Sequence, residues 1–161
     1  MAWGNREFIE HYYNGAGAAK TLTDIGLLEK VKKVASETAI DRPGGFKDQI
    51  RTEVIAVKEG LVNVTFENAY DFGGIVASMG GGALRATFEG TSQNTKDGLI
   101  FDGNILVAYT DKFEDPADLI ELLFGSSSSK SAPDWLKALA GGGGTPYAVT
   151  DTWVEPFSGS L

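Results

Sequence analysis

Apolar positions recur along this chain with two different periods. Over residues 21–37, "TLTDIGLLEKVKKVASE", Ile25, Leu28, Val31 and Ala35 return at three- and four-residue steps. That spacing predicts a helix with one buried face, and Thr23 stands where a cap is needed. Lys30, Lys32 and Lys33 fall toward its C-terminal end, where the helix dipole favours cations. Elsewhere the period is two. In residues 49–66, Ile50, Val54 and Ala56 alternate with Arg51, Glu53 and Ile55, and Val62, Val64 and Phe66 alternate with Asn63 and Thr65. This reads as a hairpin, with Gly60 as the left-handed residue of its three-residue link.

Alternation continues downstream. Leu84, Ala86 and Phe88 share a face in "ALRATFEG", and "SQNTKDG" (92–98) reads as a loop. Leu99, Phe101, Ile105, Val107 and Tyr109 share a face in the long stretch that follows, with Gly103 marking a bulge. In "TDKFEDPADLIELL", Asp115 caps a helix that has Pro116 at its first position and Asp118 in its first turn. "GSSSSKSA" (125–132) reads as a flexible loop, "PDWLKALA" as a short helix ended by "GGGG", and "TPYAVTDTWVEPF" as a last strand. Pro156 near the end of that strand suits a sheet edge. The expected fold is α+β: a mainly antiparallel sheet, curled or half-barrel, with one N-terminal helix and one or two helices near the C-terminus. No Pro/Ser-rich linker separates two cores, so residues 1–161 are expected to form a single domain.

Composition narrows the chemistry. Glycine occurs 21 times in 161 residues, in keeping with many turns and short strands. The net charge of −8, with scattered basic residues, argues against nucleic acid and for cationic partners. No cysteine is present, which removes disulfides, thiolate metal sites and Cys nucleophiles. No apolar run approaches the roughly 20 residues of a transmembrane helix. The start, "MAWGNREFIEHYY", lacks a signal-peptide pattern, so the protein is expected either in the cytoplasm or secreted without a cleaved signal peptide.

Two places carry candidate chemistry. Asp111, Glu114, Asp115 and Asp118 crowd the point where a strand hands over to a helix. Asp115 and Asp118 complement the helix end, which contributes roughly 0.3–1 kcal/mol each. Asp111 and Glu114 precede the helix and have no such explanation. Four converging carboxylates need solvent or a bridging cation, and oxygen-only ligands suit Mg²⁺ or Ca²⁺. His11 is the only histidine, so any histidine acid/base must use it. The glycine runs at 14–17 and 80–82 fit no phosphate-loop or dinucleotide pattern, and the serine run at 126–129 no nucleophile elbow.

The opening "FIEHYYNGAG", the run "G-x-x-x-x-x-F-x-G" (82–90), "DGLIFDGNILVAYTDKFEDP" and "GGTPYAV" together resemble, distantly, the activity domain of colicin M-like bacteriocins. They also resemble the C-terminal toxin modules of large secreted bacterial proteins. The resemblance implies an antimicrobial toxin with a half-open barrel. It also implies Mg²⁺-dependent hydrolysis of a lipid-linked cell-envelope precursor at its pyrophosphate, and a cognate immunity protein as partner. On that reading Asp111, Glu114 and His11 are the catalytic candidates, and Asp111, Glu114, Asp115 and Asp118 the metal ligands. The family signature Asp-x-Tyr-Asp, five residues, then His-Arg keeps its first aspartate at Asp111, with Glu114 in place of the second. Ile120 and Glu121 stand where His-Arg belongs. A second placement, on "NAYDFGGIVAS", keeps Tyr70 and Asp71 and ends on Ala77 and Ser78. A different class stays open beside the enzyme: a non-enzymatic β-rich module that binds a lipid, a protein or its own copies.

Overall fold

The computed structural model describes residues 1–124, 133–139 and 143–161. The elements are α1 (Asn5–Asn14), β1 (Lys20–Thr21), α2 (Leu28–Ala35), α3 (Phe46–Val57), β2 (Gly60–Asp71), β3 (Gly81–Thr95), β4 (Gly98–Phe113), α4 (Ala117–Phe124), α5 (Asp134–Leu139) and β5 (Tyr147–Ser160). Five strands form one sheet in the order β1-β5-β4-β3-β2. The sheet is mostly antiparallel, curled and unclosed, as the expected α+β class requires. Its parallel pair is β1–β5, with Lys20 opposite Val149 and Thr21 opposite Thr150.

Three helices, not one, precede the long strands. α1 buries Phe8 and Ile9. The Glu7 carboxylate accepts the Gly4 N–H at 2.9 Å, which meets one donor that the helix leaves unpaired. The chain leaves α1 through Ala16 and Gly17, both at positive φ. α2 starts at Leu28, later than the periodicity predicts. Thr21 and Asp24 exchange backbone–side-chain hydrogen bonds of 3.1 and 3.0 Å, and this turn occupies the expected first helical turn. Ile25 is buried all the same.

The expected strand at residues 49–57 is a correction: it is the C-terminal part of α3. Phe46, Ile50 and Val54 are the residues it buries, spaced by four, so they stack on one helix face. Ala56, which the alternating pattern places beside Ile50 and Val54, is exposed. The stretch satisfies both periods at Ile50 and Val54, and Phe46, one turn earlier, decides for the helix. α3 ends at Lys58, φ +64°, whose N–H donates to the Val54 carbonyl at 2.8 Å.

β3 and β4 run through the segment read as a loop and turn only at Lys96 and Asp97. Ser92, inside that segment, is buried because its Oγ donates to the Lys58 carbonyl at 2.8 Å. Gly90 and Gly103 face each other across β3 and β4. A Cβ on Gly103 would stand 2.6 Å from the Gly90 Cα and 2.7 Å from the Phe88 ring. Both positions are therefore bare so that two backbones and one aromatic ring can meet. Gly103 marks this close approach and no bulge. Leu99 and Leu161 exchange both backbone hydrogen bonds, and the same offset sets Phe113 against Tyr147, whose rings lie 5.3 Å apart. β5 lies between β1 and β4, so it is no edge where β1 pairs with it; Pro156 comes six residues after Thr150, the last paired with β1.

The chain divides into two compact units. One comprises Met1–Leu28, Asp71–Gly82 and Thr110–Thr150; the other Glu29–Tyr70, Ala83–Tyr109 and Asp151–Leu161. The core of the first holds Phe8, Ile9, Leu22, Ile25, Leu27, Phe72, Phe113 and Tyr147. The second buries Val31, Phe46, Ile50, Val54, Leu84, Phe88, Ile105 and Val107, each contributing roughly 1.5–3 kcal/mol if an alkyl or phenyl side chain leaves water completely. Lys47 bridges Asp41 and Glu155 there and lies 5.1 Å over the Phe157 ring. The loop expected at 125–132 lies outside the described residues, as do the first two glycines of "GGGG". Among the described residues no helix is long and apolar enough to cross a membrane.

Candidate functional site

The first unit holds the acidic junction. Asp115 Oδ1 accepts the Ala117 N–H at 3.0 Å, and the Ile120 N–H donates to the Pro116 carbonyl at 2.8 Å. Asp115 thus caps α4 as the sequence predicts, and Asp118 sits in its first turn. Asp111 is half-buried near the end of β4, with Oδ1 accepting the Lys112 N–H at 2.7 Å. Glu114 is exposed, 3.5 Å from Lys112 Nζ, a solvated pair that contributes little.

All four carboxylates line one cleft of about 280 Å³, together with Ala77, Ser78, Met79 and Gly81 from the turn that leads into β3. That turn is closed by the Phe72 N–H donating to the Gly80 carbonyl at 2.6 Å. It is tied to α1 through Asn5, whose Oδ1 accepts both the Ser78 N–H at 2.8 Å and the Ser78 hydroxyl at 2.6 Å. Sequence reasoning missed Asn5 and Ser78 as site residues. They are 73 positions apart, and nothing local links them. The only signal was that Ala77 and Ser78 end the second placement of the resemblance; both line the cleft, and Tyr70 and Asp71 of that placement do not.

Burial and the acids act on two tyrosines nearby. Tyr147 is raised above the ordinary phenol value, first by burial and then by the charge of Asp111. Tyr13 is raised by burial, then by Asp115 and Tyr12. Among the described residues no three His, Asp or Glu side chains gather closely enough to hold a metal ion. The donors in the cleft are nevertheless all oxygen.

His11 is not in this cleft. It lines another, of about 310 Å³, with Trp3, Glu7, Glu10, Asn14 and Gly15. Its Nε2 donates to the Ala18 carbonyl at 2.7 Å, and its ring stands edge-on to Tyr147 with centroids 4.4 Å apart. Gly15 is bare because a Cβ there would meet the imidazole at 2.3 Å. The histidine is thus packed against α1's own exit, and the structure does not bring it together with Asp111 and Glu114.

These features define an α+β domain with an open curled sheet and an acid-lined cleft where β4 passes into α4. No family model matches the sequence, and no curated protein matches it. Among solved structures the chain is similar to the bacteriocin syringacin M from Pseudomonas syringae pv. tomato DC3000, at 20% identity and a TM-score of 0.44, over 94% of this chain and 50% of that one. A point mutant of syringacin M gives 19% identity and 0.46, over 96% and 51%. Pectocin M2 gives 16% and 0.42, over 100% and 52%. The chain spans about half the length of these proteins.

Proposed function

We propose that this chain is an antagonistic toxin domain directed at bacteria, and that it hydrolyses a phosphodiester or pyrophosphate bond of a lipid-linked cell-envelope precursor in the cleft at the β4–α4 junction. The carrying observation is that four carboxylates line one cleft while the helix end accounts for only Asp115 and Asp118. The reaction class comes from the resemblance of the sequence to colicin M-like domains, and a cognate immunity protein belongs to the same reading.

In this reading the half-buried Asp111 takes the proton from the attacking water. An ionised carboxylate is the group that can do so here, since the single histidine lies in another cleft. Ser78, its hydroxyl proton given to Asn5, can accept a hydrogen bond from the attacking water. Glu114 and Asp115 would hold the cation, Mg²⁺ or Ca²⁺, which when bound would screen the phosphate charge that four carboxylates would otherwise repel.

The test is expression of the wild type and of Asp111→Asn in bacterial periplasm and cytosol. Killing confined to the periplasm, and lost in a variant that melts like the wild type, is the expected result. Full killing by a folded Asp111→Asn would remove the catalytic role and favour the non-enzymatic binding module.

A further inference from the structure

Among the described residues β2 is the last strand of the sheet and pairs only with β3. Its register is set by Thr65, whose hydroxyl lies 3.4 Å from that of Thr87, and by the Phe72 N–H on the Gly80 carbonyl at the same offset. In an antiparallel ladder that offset directs the backbone groups of even-numbered β2 residues to β3 and those of residues 61, 63, 65, 67 and 69 away from it. Leu61, Asn63, Thr65, Glu67 and Ala69 are all exposed, Leu61 at 83%. The outward N–H of Ala69 is met by the Asn68 side chain at 2.8 Å, a local bond in place of a strand.

An edge of this length is ordinarily blunted by lysine, proline, a bulge or a covering element. Residues 61–69 contain neither lysine nor proline, and the constant offset to β3 leaves no bulge. We infer that β2 is an interaction edge whose occupant is β2 of a second copy, paired antiparallel about a twofold axis at Thr65. The register argues for a copy of itself. Centred on Thr65, Leu61 faces Ala69 of the partner subunit and Asn63 faces Glu67 of the partner subunit, so no like charges oppose. Centring on Glu67 would set two carboxylates face to face, and centring on Asn63 would set Glu59 against the partner's Glu67. On the other face, the half-buried Val64 and Phe66 would meet their counterparts and lose their remaining apolar exposure. The outward backbone groups would exchange pairs of N–H···O bonds, as in any antiparallel ladder.

Light scattering after size exclusion, over a range of concentrations of the full chain, tests this. The wild type should populate a dimer that Thr65→Lys, which opposes two ammonium groups at the axis, abolishes. Thr152→Lys, exposed on β5, should leave it intact. Amide hydrogen exchange of the wild type supplies a readout that needs no variant: protection of residues 61, 63, 65 and 67 should grow with concentration. A wild type that stays monomeric throughout overturns the proposal. So does a dimer that survives Thr65→Lys, or concentration-dependent protection confined to other segments.

Discussion

The buried hydroxyl of Tyr147 donates to the carbonyl of Phe8 at 2.8 Å, tying β5 to α1 across 139 positions of sequence. The same ring lies 5.3 Å from Phe113 and 4.4 Å from His11, so the end of β4 and both candidate clefts share one aromatic support. Tyr147→Phe should cost about 0.5–1.5 kcal/mol, the net worth of one hydrogen bond, while Tyr147→Ala should cost about 3–5 kcal/mol through the cavity it leaves. Denaturant unfolding of the two variants measures both.

A pH dependence follows from the same residue. Its phenol is raised above the ordinary 10.0, by burial first and Asp111 second. Below that value Tyr147 is neutral in folded and unfolded chains alike, and its contribution is fully present. Above it the unfolded chain ionises first, so stability falls as pH rises toward the folded value. Tyr147→Phe should flatten this alkaline loss in melting curves taken between about pH 9 and about pH 11.

Asn5 acts on the cleft through Ser78. Asn5→Ala leaves the Ser78 N–H and hydroxyl without their shared acceptor and should cost about 1–3 kcal/mol. On the proposed function it should also lower killing more than His11→Gln does, because His11 lines the other cleft. Equal loss in both, at matched stability, would argue that the acidic cleft is not where the chemistry occurs.

Cation binding without substrate should be weak. With no three acidic or imidazole side chains gathered among the described residues, Mg²⁺, Ca²⁺ or EDTA alone should leave the melting temperature unchanged. A rise of several degrees with Mg²⁺, abolished by Glu114→Gln, would mean that the carboxylates close on the ion unaided.

Lys47 gathers two acids of the second unit. Asp41 is held below its ordinary value although burial alone would raise it, because hydrogen bonds from Lys47 and Ser36 outweigh that cost. The stability this contributes is present above the unfolded Asp value and is lost as pH falls through the lower folded one. Lys47→Met should destabilise the protein at neutral pH by about 1–3 kcal/mol and shrink the loss seen on acidification.

The helix at 46–57 is tested by a pair of substitutions. Ile50→Ala should cost about 2–5 kcal/mol, and Ala56→Lys should stay within about 0.5 kcal/mol. A strand would bury both positions and make Ala56→Lys severe. This is also where the sequence misleads: Ile50 and Val54 fit a two-residue and a four-residue period equally, and the choice rests on what Phe46 packs against. The 92–98 segment misleads for a related reason. Ser92 looks like a loop residue until the Lys58 carbonyl, 34 positions away, supplies its partner.

What the sequence determined by itself is local. The alternation in β3 and β4, the cap at Asp115 and the acid density at the β4–α4 junction all arise from forces between near neighbours, which spacing records. Tertiary structure alone decided which distant groups meet: Ser78 on Asn5, Tyr147 on Phe8, Gly90 against Gly103, and His11 kept apart from Asp111. Hydrogen-bond partners and packing contacts far apart in sequence leave no periodic trace, so only the folded chain could reveal them.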